Sequence, residues 1–380
     1  MMGKGYSFQN RIPREELQRR QWPREEDLRG RYFRDTTAII HSNPFRRLKH
    51  KTQVFFSPKN DHICTRIEHV MHVASVAASV CRGLNLDADL AWAIGLGHDL
   101  GHTPFGHVGE TIMADIQKEK GGFIHELYSL RVVDHLIHYG KGLNLTYAVR
   151  DGIVSHCGEK FEQTISPDEK IKELDSLTAR AHYPSTWEGA VVRMADKIAY
   201  LGRDLEDALQ LKIVSQDDLP VAAMGVLGRE NGAIINTLVT DLIDTSRAKG
   251  TIGFSDEKFR AMVELKEFNY QWIYSNPLLA DYHRHFERIL KTLHAYLEEL
   301  FQLYQLEEEK YRKERNLLAV RFGDYVRKMA PFYQDHDGGF HRMCADYLAG
   351  MTDDYALSSI QEIMIPKKME SQFDQFLLGN

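Results

Sequence analysis

Apolar residues recur at steps of three and four along most of this chain. The stretches RIEHVMHVASVAASV (66–80), ADLAWAIGLGHDL (88–100), HVGETIMADI (107–116) and WEGAVVRMADKIAYLGRDLEDAL (187–209) each carry one apolar stripe with the period of an amphipathic helix. Helical patterning runs from Asn43 to about Gln210, and moderately amphipathic helices continue over 213–275. From Asp281 toward residue 330 the pattern predicts one or two long helices with charged outer faces. Strand-like alternation is scarce, and TQVFFS (52–57) is the candidate short strand. Residues 11–34 alternate charges of both signs around two prolines, which predicts an exposed arm with little core, ordered against a neighbouring subunit. The expected class is all-α, divided into an arm (1–34), a chemical core (35–212) and a helical C-terminal region (213–380) that packs on the core and makes oligomer contacts.

Composition narrows the function classes. A chain of 380 residues can bury a sizeable site, and with 43% hydrophobic and 27% charged residues it has no apolar run approaching the roughly 18 needed to span a bilayer. The start, MMGKGYSFQN, lacks the apolar core of a signal peptide, and the four cysteines (Cys64, Cys81, Cys157, Cys344) form no CxxC pair, so a cytoplasmic, reduced protein with no membrane partner is expected. The net charge of −6 argues against wholesale coating of nucleic acid. Eighteen histidines are many, and they prompt a search for a site.

His69 shares a helix face with Val73, Val76 and Val80 and should point inward. Alone it would read as a hydrogen-bonded core histidine. It has company, because His98 and Asp99 end the apolar LAWAIGLG helix, where an ionised carboxylate costs several kcal/mol unless paired. Asp196 sits among Val192, Ala195 and Ala199, and its i, i+4 successors Tyr200 and Asp204 turn that face into a row of polar groups suited to a pocket wall. His69, His98, Asp99 and Asp196 make a mixed nitrogen and oxygen set of formal charge −2, fit for one divalent ion (manganese, magnesium, iron, cobalt, nickel or zinc) with positions left for water and substrate.

The H…HD…D pattern resembles the metal signature of HD domains. The blocks NPFRRLKHKTQVF (43–55), TRIEHVMHV (65–73), GHDLGHTPFGHVGE (97–110), GLNLT (142–146) and ADKIAYLGRDLEDAL (195–209) are similar, in order, to those of the deoxynucleoside triphosphate triphosphohydrolases, the bacterial dGTPase-like enzymes. The likeness covers roughly half of the chain. It implies an HD-type helical bundle with additional C-terminal helices, and hydrolysis of a dNTP, with dGTP the expected substrate, to a deoxynucleoside and inorganic triphosphate.

His102 and His107 lie in a turn shaped by Gly101, Pro104 and Gly106, and both are expected to face substrate. His107 and Glu110, three apart, form an acid/base pair on one helix face, and the resembling enzymes use the matching residues to manage the attacking water. His125 matches a histidine that some members place near the scissile phosphate, although Leu127 stands where an asparagine is usual. The resemblance makes Arg66 and Lys197 phosphate binders, Tyr200 and Asp204 the readers of the sugar, Gln53 a 3′-OH contact and Val54 a neighbour of the nucleoside. His62, His72 and His156 match no catalytic role and are expected to be structural.

Two departures bear on control. RDTTAI (34–39) replaces the usual RDRDRI with two arginines fewer, and the chain is short for the family, so effector sites for a nucleotide or single-stranded DNA built on insertions are expected to be missing or altered. Relatives of this type assemble as tetramers or hexamers, and a homo-oligomer is expected. The rival readings are an HD phosphohydrolase of nucleoside monophosphates or alarmones, and a nucleotide- or nucleic-acid-binding regulator without turnover, for which the basic run FRRLKHK (45–51) speaks in part.

Overall fold

The computed structural model describes residues 6–56, 60–158, 160–180, 182–335 and 339–365, and it is built almost wholly of helices. Helices of seven residues or more are numbered in chain order: α1 (Arg31–Ile40), α2 (Arg66–Leu84), α3 (Ala88–Gly97), α4 (Gly106–Ile116), α5 (His125–Arg131), α6 (Tyr147–Val154), α7 (Trp187–Gln210), α8 (Val221–Leu227), α9 (Asn231–Lys249), α10 (Asp256–Phe268), α11 (Pro277–Tyr304), α12 (Leu317–Asp335), α13 (Met343–Ala349) and α14 (Asp353–Met364). Shorter helical turns, such as Asn43–Arg47, and one two-stranded antiparallel ribbon, β1 (Thr164–Ile165) with β2 (Ile252–Gly253), lie between them. The class is all-α, as the periodicity predicts.

Local chemistry sets the ends of the helices that matter most. Thr65 and Glu68 form a reciprocal capping box at the start of α2, and Asn85 closes that helix in the left-handed conformation at φ 59°. The Asp87 carboxylate accepts from the amides of Asp89 and Leu90 to begin α3, and the Thr186 hydroxyl accepts from Gly189 to begin α7. Helix α2 packs on α3 and α7, and Val70, Val73, Ala74, Ala77, Ala91, Ile94 and Val191 are all sealed from solvent. These three helices bring their polar positions to one end of the bundle.

Two expectations need correcting. TQVFFS is no strand: Thr52 makes a single isolated bridge to Thr65, the next residues bend, and Ser57 lies outside the described residues. Its groups are claimed by tertiary contacts, since the Asp353 carboxylate accepts from the Thr52 amide and Arg66 donates to the carbonyls of Thr52 and Gln53. The arm also contributes more core than its charge pattern suggests. Phe8, Ile12 and Leu17 are buried, and Arg20 pairs with the fully buried Asp35 at 2.6 Å, whereas residues 21–30 are exposed as expected. All four cysteines are free, and no described helix is long and apolar enough to cross a membrane.

The C-terminal helices grip the polar end. Phe105 stacks on Phe286 of α11 with ring centres 4.1 Å apart, and Asp353 at the start of α14 accepts from the Phe105 amide at 2.9 Å. The seam between α2 and α3 is equally tight: a Cβ on Gly95 would lie 2.6 Å from Ala74 Cα. We expect Gly95→Ala to force these helices apart and destabilise the protein by about 1–3 kcal/mol, read from urea unfolding. Wild-type stability in that variant would refute the packing.

Candidate metal and substrate site

His69 leaves the second turn of α2, His98 and Asp99 follow the last residue of α3, and Asp196 leaves α7. Their polar atoms converge. His69 Nε2 lies 3.1 Å from Asp196 Oδ1 and 3.9 Å from Asp99 Oδ2, while His98 Nε2 lies 3.6 Å from Asp99 Oδ1 and 4.0 Å from Asp196 Oδ1. Ligands bound to one ion at 2.0–2.2 Å stand roughly 3–4.2 Å apart. The spacing of the four groups suits a common ion, and His69, His98 and Asp99 form a cluster able to hold one.

Protonation states argue the same way. His98 donates Nδ1–H to the Gly95 carbonyl at 2.7 Å, and burial pushes its pKa down to about 4 despite Asp99 beside it. A neutral imidazole then presents an Nε2 lone pair to a carboxylate oxygen, two acceptors with nothing shared between them. A cation resolves that conflict, and the backbone carbonyl fixes the tautomer that would bind it. Burial disfavours the charge on Asp99, but His102, His98 and the Arg66 guanidinium hold its carboxyl well below the ordinary range. Asp196 is likewise opposed by burial and lowered to about 2 by its hydrogen bond with His69.

The other sequence candidates fall into three groups. The first surrounds Asp99 Oδ1, with His102 Nε2 at 3.5 Å and His125 Nε2 at 3.8 Å. His102 and His125 stack with ring centres 4.2 Å apart, and the buried His102 Nδ1 has no partner among the described residues. Glu110 accepts from His125 Nδ1 at 3.0 Å, while His107 Nδ1 stands farther off at 3.7 Å, so the carboxylate expected to serve His107 is more closely engaged with His125. His107 remains the exposed member, with 68% of its side chain accessible. Burial works against charge on His125, yet Glu126 and Glu110 raise its pKa to about 9.

The second group consists of the expected phosphate binders, and both are occupied. Arg66 is buried against Asp99 and two backbone carbonyls, and Lys197 pairs with Glu162 at 2.6 Å. The third lies toward a neighbouring cavity of about 620 Å³ lined by Gln53, Val54, Phe105, His107, Tyr274 and His283, among others. Asp204 accepts from the Tyr274 hydroxyl at 2.6 Å, and Tyr200 is partly buried one turn before it on α7.

Sequence reasoning missed several participants. His156, assigned a structural role, ends α6 inside the cluster, with Nε2 3.8 Å from Asp99 Oδ1 and 3.3 Å from His125 Nε2. Its sequence signal was weaker than that of His98, because AVRDGIV carries Arg150 and Asp151 among its apolar residues and the histidine follows the helix only after Ser155. Arg180 binds Glu110 and Glu126, Glu162 binds Lys197, and Tyr274 binds Asp204. These partners lie far away in sequence and carry no local mark. His62 and His72 stay outside the cluster, as expected.

Comparison with known proteins places residues 66–181 in the HD domain family and residues 252–362 in the phosphohydrolase-associated domain family. Asp196 lies beyond the end of the first match, and the fold returns it to His69. The chain is 39% identical to a deoxyguanosinetriphosphate triphosphohydrolase-like protein of Caldanaerobacter subterraneus subsp. tengcongensis, over 90% of this chain and 86% of that one. It is 38% identical to a protein of the same description from Desulfatibacillum aliphaticivorans, over 90% of each chain, and 35% identical to one from Clostridium tetani, over 90% and 88%.

Burial raises Asp204 from 3.8 to about 7, so the folded state binds the extra proton between those values and loses stability as pH rises through the window. Asp204→Asn keeps the acceptor for Tyr274 without the charge. Its stability relative to wild type should improve from about pH 5 to about pH 8, by an amount on the order of a few kcal/mol, in paired thermal melts. An equal difference at both pH values would show that Asp204 ionises freely.

Proposed function

The chain belongs to the family of deoxyguanosinetriphosphate triphosphohydrolase-like proteins, phosphohydrolases with an HD domain, and from that premise we propose that it hydrolyses dNTPs, dGTP among them, to a deoxynucleoside and inorganic triphosphate. The observation that carries this reading is the convergence of His69, His98, Asp99 and Asp196 beside a cavity bordered by Gln53, Val54 and His107. In this reading the four groups hold one divalent ion, which when bound supplies Lewis-acid polarisation of a phosphate oxygen and of the attacking water.

The protein's own groups do the rest. In our reading water attacks the α-phosphorus: the new P–O bond forms, the P–O5′ bond breaks, triphosphate departs with the water's oxygen, and the 5′-oxygen leaves as a hydroxyl. His107, exposed at the cavity wall and backed by Glu110, takes the water's proton and returns it to the departing 5′-oxygen. His102 is kept neutral by burial and by Arg66, and its unpartnered Nδ1 gives it a hydrogen bond to spare for a phosphate oxygen. Lys197 reaches the polyphosphate by exchanging Glu162 for substrate, and Arg66 serves chiefly by holding Asp99. Asp204 and Tyr200, on the wall shared with Tyr274, face the deoxyribose, and crowding by the tyrosine ring there would select against a 2′-hydroxyl.

The product decides the reading. Each dNTP and GTP is incubated with magnesium, manganese or cobalt and the phosphates are separated by chromatography. Triphosphate with deoxynucleoside is expected, and chelation should abolish it. Pyrophosphate, single phosphates or activity on dNMP would point to another HD phosphohydrolase, and tight dNTP binding with no product to a regulator. Within the same assay, Glu110→Gln should lower kcat by about 10²–10⁴-fold, and wild-type kcat would remove Glu110 from proton transfer.

A further inference from the structure

The four groups proposed to hold one ion leave three buried imidazoles beside them without an assigned cation. His102, His125 and His156 all turn Nε2 toward Asp99 Oδ1, at 3.5, 3.8 and 3.8 Å. The Nε2 atoms of His125 and His156 are themselves 3.3 Å apart. Asp99 Oδ1 and these two nitrogens thus form a triangle with edges of 3.3–3.8 Å, inside the roughly 3–4.2 Å that separates ligands bound to one ion. His102 adds a fourth atom, and with Asp99 and His125 it forms a cluster able to hold a metal.

The far side of each ring decides where its lone pair points. His156 Nδ1 donates to the Ile153 carbonyl at 2.6 Å, as His98 does to Gly95, so both rings leave Nε2 free to accept. His125 Nδ1 donates to Glu110 at 3.0 Å, and Arg180 fixes that carboxylate from behind. A carbonyl or carboxylate in this position is the ordinary support of a metal-bound histidine. His102 Nδ1 has no partner among the described residues, and an ion on its Nε2 would keep the proton on Nδ1. The rival arrangement is a proton on His125 Nε2, shared with His156. One proton serves that single edge of the triangle, whereas a cation meets all four atoms.

We infer that Asp99 Oδ1, His102, His125 and His156 make a second metal site, joined to the first through Asp99, that takes a first-row transition ion in preference to magnesium. Three imidazole nitrogens to one carboxylate oxygen set that preference, because magnesium favours oxygen ligands. The inference deepens the proposed function and rests on its first ion, since Asp99 belongs to both sets. Two ions on a shared carboxylate clamp the attacking and leaving oxygens of an in-line displacement. Glu110 then serves two neighbours, orienting His125 and backing His107, which lies outside the set.

The test is a metal count. Full-length protein is stripped by chelation, reloaded with manganese and freed of excess ion by gel filtration, and the bound metal is measured by plasma mass spectrometry with electron paramagnetic resonance on the same samples. Wild type should hold two ions per chain and give the exchange-coupled signal of a manganese pair, while magnesium alone should fill no more than one site. His125→Asn and His156→Asn each keep an amide donor close to the lost Nδ1 while removing Nε2, and each should hold one ion and give only an isolated-ion signal. Having both variants guards against a folding defect in either, which thermal melts would reveal. Two ions retained in both variants, or a wild type with one ion and no coupled signal, would overturn the second site. A wild type with one ion that still releases triphosphate from a dNTP would leave the proposed function standing, and a wild type that binds no ion would overturn both.

Discussion

One buried carboxylate organises the chemical end of this molecule. Asp99 is 3% exposed, and taking such a group out of water costs several kcal/mol unless opposite charge and hydrogen bonds replace the solvent. Arg66 supplies the charge on one oxygen. Around the other stand His98, His102, His125 and His156, each with Nε2 between 3.5 and 3.8 Å away. Five side chains from four helices and one turn are thus placed with reference to a single negative centre. His69 and Asp196 close the remaining side through their own contact.

The loop that follows Asp99 is held from outside the HD-type core. Phe105 adopts φ 65°, a costly conformation for a bulky side chain, and persists because neighbours constrain it from several directions. Asp353 takes its amide, Phe286 stacks on its ring, and Lys51 anchors the carbonyl of His102. The C-terminal helices therefore help shape the turn that carries His102 and Phe105. Deleting them would free Phe105 to relax and would withdraw Leu279, His283 and Arg284 from the wall of the cavity that Gln53 and Val54 also line.

What the sequence made legible follows from what is local. The period of three and four exposed α2, α3, α7 and α11, and it placed His69 inward because valines occupy its own helix face. Asp196 was legible for the same reason, as a charge on an apolar stripe. Partners set by tertiary approach were not. Glu162 neutralises Lys197 across 35 positions, Tyr274 meets Asp204 across 70, and His156 joins the cluster only because α6 ends where α3 ends. The arm misled through composition: its charges are real, but Ile12 and Leu17 at helical and turn positions are enough to seat it, and Arg20 finds Asp35. TQVFFS misled because β-branched and aromatic residues suit any half-buried extended segment, and here side chains rather than a second strand satisfy its backbone.

A scaffold could have been built more simply. Replacing buried charged groups by well-packed apolar ones of similar volume is often neutral or stabilising, yet this chain gathers two imidazoles forced neutral by burial (His98 and His102), one held charged (His125), and a strongly desolvated Asp204 within one region. Their preferences conflict: His98 turns a lone pair toward Asp99, and His102 keeps a buried nitrogen without a partner. Each conflict has the same remedy, a cation among the carboxylates and a polar ligand beside them. The unrelieved electrostatics thus add to the residue types as evidence for a binding and reaction site.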